Sequence, residues 1–340
     1  MIDSQLERVV NGEDLELEEM EDAMQNIMEG RTTDSQLAGF LVGLRIKGET
    51  IAEITAAAKV MREKAISIDA GRGLVDTCGT GGDGAGTFNI STTTAFVVAG
   101  AGLKIAKHGN RSVSSQSGSA DVLEALGVKL SISPDQVEKC IAETGIGFLY
   151  APALHKAMKH AIGPRKELGL RTIFNALGPL TNPAGADYQV LGVYDPKLVR
   201  PLAEALNNLG SRGAMVVHGS DGLDEFSLSG ENLVSRVTEK GVESFIIAPE
   251  DVNLKRYPVT ELTGGDPEEN AAIIRSLLQG SKGPRRDVVL FNSAAALLVT
   301  GKVADWEEAL DLAAATIDSG RAMEKLEQLV EFTRSAGVAS

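Results

Sequence analysis

The first 70 residues set apolar side chains at helical spacing throughout. Leu17, Met20, Met24, Ile27 and Met28 make one stripe, Leu37, Phe40, Leu41 and Leu44 a second, and Ile51, Ile54, Ala58 and Met61 a third. Recurrence at i, i+3, i+4 and i+7 predicts amphipathic helices. The second and third stripes each follow a capping box, Thr33-x-x-Gln36 and Thr50-x-x-Glu53, which marks where a helix starts. Such stripes read as core or subunit contact, and nothing catalytic stands among them. From Gly71 the pattern changes. Short apolar runs at Leu74–Val75, Leu103–Ala106, Val128–Ile132, Ile146–Tyr150, Tyr188–Tyr194, Met215–His218 and Ser244–Ile247 alternate with helical periodicity, as after the capping box Ser133-x-x-Gln136. The chain closes on helical segments around Val288–Thr300 and Trp306–Thr333. This predicts an α/β protein: a small all-helical domain, residues 1–70, and a larger α/β domain, residues 71–340, with a mostly parallel central sheet covered by helices. Ala153 to Pro183 carries no clear strand and is expected to fold back onto the helical domain.

Charge narrows the function. The chain has 33 basic and 47 acidic residues among 340, a net charge of −14, which argues against general binding to nucleic acid or anionic membrane. Cys78 and Cys140 form no C-x-x-C pair and suggest no disulfide framework, which favours a reducing compartment. The amino terminus is too acidic for a signal peptide, and the longest apolar run, Ala95–Leu103, is far short of the ~20 residues that span a bilayer. A cytoplasmic protein is expected.

The densest candidate chemistry is DTCGTGGDGAGTFNIST, Asp76 to Thr92. Gly81 and Gly86 fit the spacing of a triphosphate loop, but Thr87 stands where that loop needs lysine. Gly79, Gly81 and Gly84 spell the dinucleotide fingerprint, but Lys107-His108-Gly109-Asn110-Arg111 is basic where an acid should meet the ribose. What the stretch offers is backbone donors at the glycines, then side-chain donors in Asn89-Ile90-Ser91-Thr92 at a predicted helix start, an anion-binding arrangement. Ser112, Ser114, Ser115, Ser117 and Ser119 precede a second helix. Two helix starts and a basic strand end suit a ligand with two phosphate ends.

GTGGDGAGTFNIST, KHGNRSVSSQSGSADVLEALG and GLDEFSLSG, in this order after an all-helical start, resemble the anthranilate phosphoribosyltransferase family, of the nucleoside phosphorylase-like phosphoribosyltransferase class. GIGFLYAPALHKAMKHAIGPRKELGLRTIFNALGPLTNP extends the resemblance over nearly the whole chain. The resemblance implies a binding site for 5-phosphoribosyl diphosphate (PRPP) lined by Gly79, Gly82, Asp83, Thr87, Asn89, Ile90, Ser91 and Thr92. Lys107, His108, Gly109, Asn110, Arg111, Ser112, Val113, Ser114, Ser115 and Ser119 would complete it. It implies one or two Mg²⁺ ions on Asp224 and Glu225, with Ser91 at a second metal position. Anthranilate would meet Gly79, Asn110, His155 and Arg165, and Lys107, His108, Asn110 and Arg165 would serve catalysis. A homodimer through the helical domain is also implied, with no nucleic-acid or membrane partner.

The chemistry suits these residue types. Displacing pyrophosphate from the anomeric carbon develops charge on the leaving group, which a cation, Lys107 and backbone N–H groups would stabilise. An aryl amine is uncharged at neutral pH and needs positioning more than deprotonation, and an arginine fork at Arg165 would hold its carboxylate. Two rivals stay open on the sequence: a pyrimidine nucleoside phosphorylase of the same fold, and a non-catalytic relative that binds nucleic acid.

Overall fold

Capping boxes open the chain's helices where the spacing predicts them. This computed structural model describes residues 2–112 and 116–336. Helices α1 (Asp3–Val10), α2 (Leu17–Met28), α3 (Asp34–Lys47) and α4 (Ile51–Lys64) come first. Thr33 Oγ1 accepts from Gln36 N–H at 3.2 Å and Thr50 Oγ1 from Glu53 N–H at 3.2 Å. The Glu53 carboxylate is buried; it pairs with Lys47 Nζ at 2.9 Å and accepts from Leu15 N–H at 2.9 Å, tying α3, α4 and the α1–α2 loop together.

The chain then runs β1 (Leu74–Gly79), α5 (Ile90–Gly100), β2 (Lys104–Gly109), α6 (Ser119–Leu126), α7 (Pro134–Thr144) and β3 (Ile146–Tyr150). Three helices follow without a strand: α8 (Ala151–Leu154), α9 (Lys159–Leu168) and α10 (Ile173–Leu180). The rest is β4 (Tyr188–Gly192), α11 (Val199–Asn208), β5 (Gly213–Gly219), β6 (Asn232–Thr238), β7 (Gly241–Ile247), α12 (Pro267–Leu278), α13 (Pro284–Val299), α14 (Trp306–Asp318) and α15 (Arg321–Ala336).

One seven-stranded sheet has the order β3-β2-β1-β4-β5-β6-β7. The first five strands are parallel and β6 and β7 are antiparallel at one edge. Along the parallel strands alternate side chains enter opposite cores. Val75, Ile105, Phe148 and Val190 meet α5, α13 and α15, whereas Leu191 and Val216 on the other face meet α11 and the helical unit. Burial on both faces is what parallel strands require. Helix α9 packs on α2 and α3, and α10 on α3, α4 and α11. Arg62 of α4 fastens this seam, donating from Nε to the Leu180 carbonyl at 2.7 Å and from Nη1 to that of Leu209 at 3.4 Å. Among the described residues no helix is long and apolar enough to cross a membrane.

Three expectations change. Val128–Ile132 is not a strand: Val128 N–H donates to the Leu123 carbonyl at 2.9 Å and Lys129 N–H to Thr333 Oγ1 at 3.1 Å, so these amides serve α6 and α15 instead of a sheet neighbour. The sheet gains β6, which pairs with β5 and β7. The segment expected as one helical stretch from Trp306 is two helices, broken at Ser319 and Gly320.

The topology fixes where a site forms. The chain leaves β1 toward β2 and β3, then returns to lay β4 on the other side of β1. The crevice outside the carboxyl ends of β1 and β4 is the switch point where open α/β sheets bind ligands.

Candidate active site

A loop between β5 and β6 brings Asp224 and Glu225 to this switch point, and glycines on the sheet admit it. A Cβ at Gly192, the last residue of β4, would lie 1.4 Å from the Asp224 carbonyl oxygen. One at Gly79, the last residue of β1, would lie 2.4 Å from Asp224 Oδ2. Asp224 Oδ2 accepts from Gly81 N–H at 2.7 Å, and Glu225 Oε1 accepts from Ser91 N–H at 3.0 Å in the first turn of α5. Desolvation and then repulsion from Asp83 raise Asp224 well above the usual carboxylate range. Glu225 is raised by burial and by Asp224, with Lys107 opposing.

Lys107 rises from β2 between these groups. Its side chain is buried, and Nζ donates to the Thr77 carbonyl at 2.5 Å and approaches Ser91 Oγ at 3.5 Å. Burial lowers its pKa, against the pull of Asp76 and Glu225. The sequence reading gave Asp76 no role, yet it is fully buried below this lysine. It accepts from His108 N–H at 3.1 Å and Asn182 Nδ2 at 2.8 Å, and desolvation raises it to about 6.

The amino terminus of α5 is unusual for a helix start. Asn89 is its N-cap residue, yet its side chain caps no α5 amide. Thr92 Oγ1 is buried and has no hydrogen-bond partner among the described residues. Ile90 N–H donates to the Phe88 carbonyl at 2.8 Å and Ser91 N–H to Glu225, and the positive end of the helix dipole here favours an anion. Thr87 forms an isolated antiparallel bridge with Thr263, which anchors the far end of the glycine loop. On the neighbouring strand end, the Asn110 carbonyl accepts from Ala120 N–H at 3.1 Å and Ser119 Oγ at 3.3 Å. Ser112 N–H and Gly118 N–H both donate to Asp121 Oδ2 at 2.9 Å, which ties both residues to the first turn of α6. Arg111 pairs with Asp121 at 2.9 Å and Glu124 at 2.6 Å and lies over the Tyr150 ring, so its charge is matched within α6. Val113, Ser114 and Ser115 lie outside the described residues.

His108 and His155 meet with Nε2···Nε2 at 3.2 Å and ring centroids 5.1 Å apart, both buried. Desolvation, then the charge of each neighbour, lowers His108 to about 3, and desolvation lowers His155 to about 4. Both are neutral in the fold. Unfolded histidine titrates near 6.5, so the stability tied to this pair is full above about pH 6.5 and is lost as pH falls toward 4. Urea unfolding between pH 7 and 4.5 is expected to fall more steeply for the wild type than for His108→Gln with His155→Gln. The difference approaches two protons, about 2.7 kcal/mol per pH unit at most. Parallel pH slopes would show that the pair is not held neutral.

Arg165 stands on α9, its guanidinium 5.0 Å from the Phe174 ring centroid. Burial lowers its pKa, and among the described residues it makes no ion pair or side-chain hydrogen bond. The fold thus joins Gly79, Ser91, Lys107, Asp224 and Glu225 directly and pairs His108 with His155, while Arg165 stands apart over Phe174, with no hydrogen bond to Gly79 or Asn110 among the described residues. His218 Nδ1–H donates to the Val193 carbonyl at 2.7 Å, a structural role. Sequence reasoning missed Arg171. Its guanidinium donates to the Gly82 carbonyl and stacks 4.0 Å from the Tyr194 centroid, and its own carbonyl accepts from Arg45 of α3. It therefore links the glycine loop to the helical unit, and nothing local in ELGLRT marks it.

Among the described residues no three His, Cys, Asp or Glu side chains converge as a metal cage. Asp224, Glu225 and Ser91 instead gather hard oxygens short of countercharge. That set fits a divalent cation that keeps waters and completes its shell with ligand oxygens.

Two family models cover most of the chain, the "Glycosyl transferase family, helical bundle domain" over residues 4–65 and the "Glycosyl transferase family, a/b domain" over residues 71–323. An anthranilate phosphoribosyltransferase of Petrotoga mobilis is 60% identical over 335 residues, 98% of this chain and 97% of that protein. The chain belongs to the anthranilate phosphoribosyltransferase family. A solved family structure from Thermus thermophilus superposes with a TM-score of 0.92 at 48% identity, covering 97% of this chain and 99% of that one. The Saccharomyces cerevisiae family member, solved in complex with PRPP and Mg, superposes with a TM-score of 0.90 at 29% identity over 98% of both chains.

Proposed function

We infer that this chain transfers the 5-phosphoribosyl group of PRPP to the amino group of anthranilate, releasing pyrophosphate and N-(5-phosphoribosyl)anthranilate in tryptophan biosynthesis. One observation carries the reading furthest. The start of α5, which Asn89 does not cap and where Thr92 Oγ1 is unpartnered among the described residues, meets a buried lysine and two carboxylates short of countercharge. Such a site takes an anion and a cation together. The yeast relatives support it, one in complex with PRPP and Mg and another with 4-fluoroanthranilate.

PRPP lies along Gly79, Gly82, Asp83, Thr87 and Asn89 to Thr92, with Lys107 to Ser115 and Ser119 closing the other side. Asp224 and Glu225 hold Mg²⁺, with Ser91 at a second position; when bound, the metal neutralises charge on the diphosphate. The bond from the anomeric carbon to nitrogen forms as its bond to pyrophosphate oxygen breaks, through an oxocarbenium-like sugar. Lys107 Nζ and the α5 amides face the leaving group and stabilise its growing charge without reorganising. Neutral His108 and His155, with Gly79 and Asn110, line the aromatic side, and the Arg165 fork takes the anthranilate carboxylate.

Arg165→Ala is expected to raise KM for anthranilate by about 10- to 100-fold while leaving KM for PRPP within about twofold, as loss of a charged hydrogen-bonded fork predicts. Equal losses for both substrates in steady-state kinetics would remove Arg165 from this role. The reading assigns residues 1–70 and part of 153–183 to a helical domain that forms a homodimer, residues 71–340 to catalysis, and the protein to the cytoplasm. Its direct test mixes the protein with PRPP, Mg²⁺ and anthranilate and follows anthranilate fluorescence. A PRPP- and Mg²⁺-dependent loss of signal is expected, and an unchanged signal under every condition would overturn it.

A further inference from the structure

A side chain 181 positions along the chain from Asn89 decides which way Asn89 faces. The Gly265 N–H is a backbone donor, so the Asn270 atom it meets at 2.8 Å is the carbonyl oxygen Oδ1. That leaves Asn270 Nδ2 turned toward Asn89, whose Oδ1 accepts from it at 3.0 Å. Asn89 Oδ1 also accepts from Ser117 Oγ at 3.4 Å, which leaves Asn89 Nδ2 to donate to the Ser117 carbonyl at 3.1 Å. One unambiguous backbone donor sets two amides in series. Asn270 is 1% exposed, so no water competes for its ends.

The same geometry explains the missing cap. An asparagine at this position ordinarily accepts from an N–H in the first helical turn. Here its acceptor is occupied by Asn270 and Ser117, so Asn89 takes none of the first-turn amides of α5, of which Ile90 N–H meets the Phe88 carbonyl and Ser91 N–H meets Glu225. The close packing behind it needs Gly264, where a Cβ would lie 2.5 Å from Asn270 Oδ1 and 2.7 Å from the Phe88 backbone nitrogen.

We propose that Asn270, on α12, is a positioning residue for PRPP: acting through Asn89, it sets the amide nitrogen on the Ser117 side and keeps the Asn89 side-chain oxygen off the first-turn amides of α5, where a phosphate would sit. This rests on reading the start of α5 as the PRPP site. Asn270 touches neither substrate.

The test turns on an ordering that packing alone would reverse. Asn270→Asp keeps the size and the oxygen for Gly265 N–H, but sets a carboxylate oxygen against Asn89 Oδ1. It is expected to raise KM for PRPP about tenfold or more, about 1.4 kcal/mol, and to leave KM for anthranilate within about twofold. Asn270→Ala removes the bias without reversing it and is expected to raise KM for PRPP only about threefold. A residue that merely filled space would suffer more from alanine than from the isosteric aspartate. In an Asn89→Ala background, Asn270→Asp is expected to add nothing, because the coupling has lost its partner.

Thermal melts accompany the kinetics of each variant, so that a lowered folded fraction is read separately from KM. An unchanged KM for PRPP in Asn270→Ala, a larger effect of alanine than of aspartate, or additivity with Asn89→Ala would each overturn the proposal. Calorimetric titration of PRPP with Mg²⁺ separates the two levels. Wild-type protein that binds no PRPP would overturn the reading of the site, whereas wild type that binds it beside an unaffected Asn270→Asp would overturn the Asn270 role alone.

Discussion

Protein carrying Asp224→Asn and Glu225→Gln together is expected to lose activity and gain stability. Both carboxylates sit desolvated beside each other and near Asp83, which raises both above the usual range. Neutral isosteres keep the acceptors for Gly81 N–H and Ser91 N–H and remove the like-charge repulsion, so the metal-free protein should melt at a higher temperature. Turnover should fall by roughly a thousandfold and lose its response to Mg²⁺ titration, the scale of removing a preorganised charge-stabilising group. Movement of activity and stability in opposite directions is the signature of a site held in a destabilising arrangement for function. An unchanged Mg²⁺ titration of turnover would defeat the metal assignment.

Lys107→Met is expected to be nearly as severe. Nζ is fixed by the Thr77 carbonyl at 2.5 Å and lies beside Ser91 Oγ, in a pocket where burial lowers its pKa. Asp76 and Glu225 oppose that shift, and an ammonium held here needs no rearrangement when the diphosphate departs. Losing it should lower kcat by about 10²- to 10³-fold, as for other preorganised donors at a developing anion. Lys107→Arg should not restore it, because a planar fork does not occupy the space of a compact ammonium. A methionine variant keeping more than about a tenth of wild-type kcat would remove Lys107 from charge stabilisation.

What the sequence made legible was whatever a few neighbouring residues decide. Thr33, Thr50 and Ser133 predict helix starts because a capping box is complete within four residues, and each forms. The glycine loop and Lys107 were legible because their motifs are long and contiguous. Val128–Ile132 alternates like a strand, but its amides are claimed by α6 and by a threonine some 200 residues on, a decision no local window contains. Strand β6 failed for the opposite reason: Ser235 and Arg236 interrupt its apolar pattern, yet pairing with β5 and β7 makes it a strand. The supports of the site escaped the same way. Arg171 reaches Gly82 across 89 positions and Asn270 reaches Asn89 across 181. Each looks like an ordinary polar residue on its own segment.

The close approach of Asp224 to Gly192 has a consequence for how this protein tolerates change. The two carboxylates belong to the connection before β6, but their position is gauged by the bare backbone ends of β1 and β4. A single methyl group at residue 192 would collide with the Asp224 carbonyl at 1.4 Å and displace both acids, whatever the acids themselves are. Saturation mutagenesis should therefore find position 192, which carries no functional group, as intolerant as the carboxylates it seats, while exposed residues of the same loop drift freely.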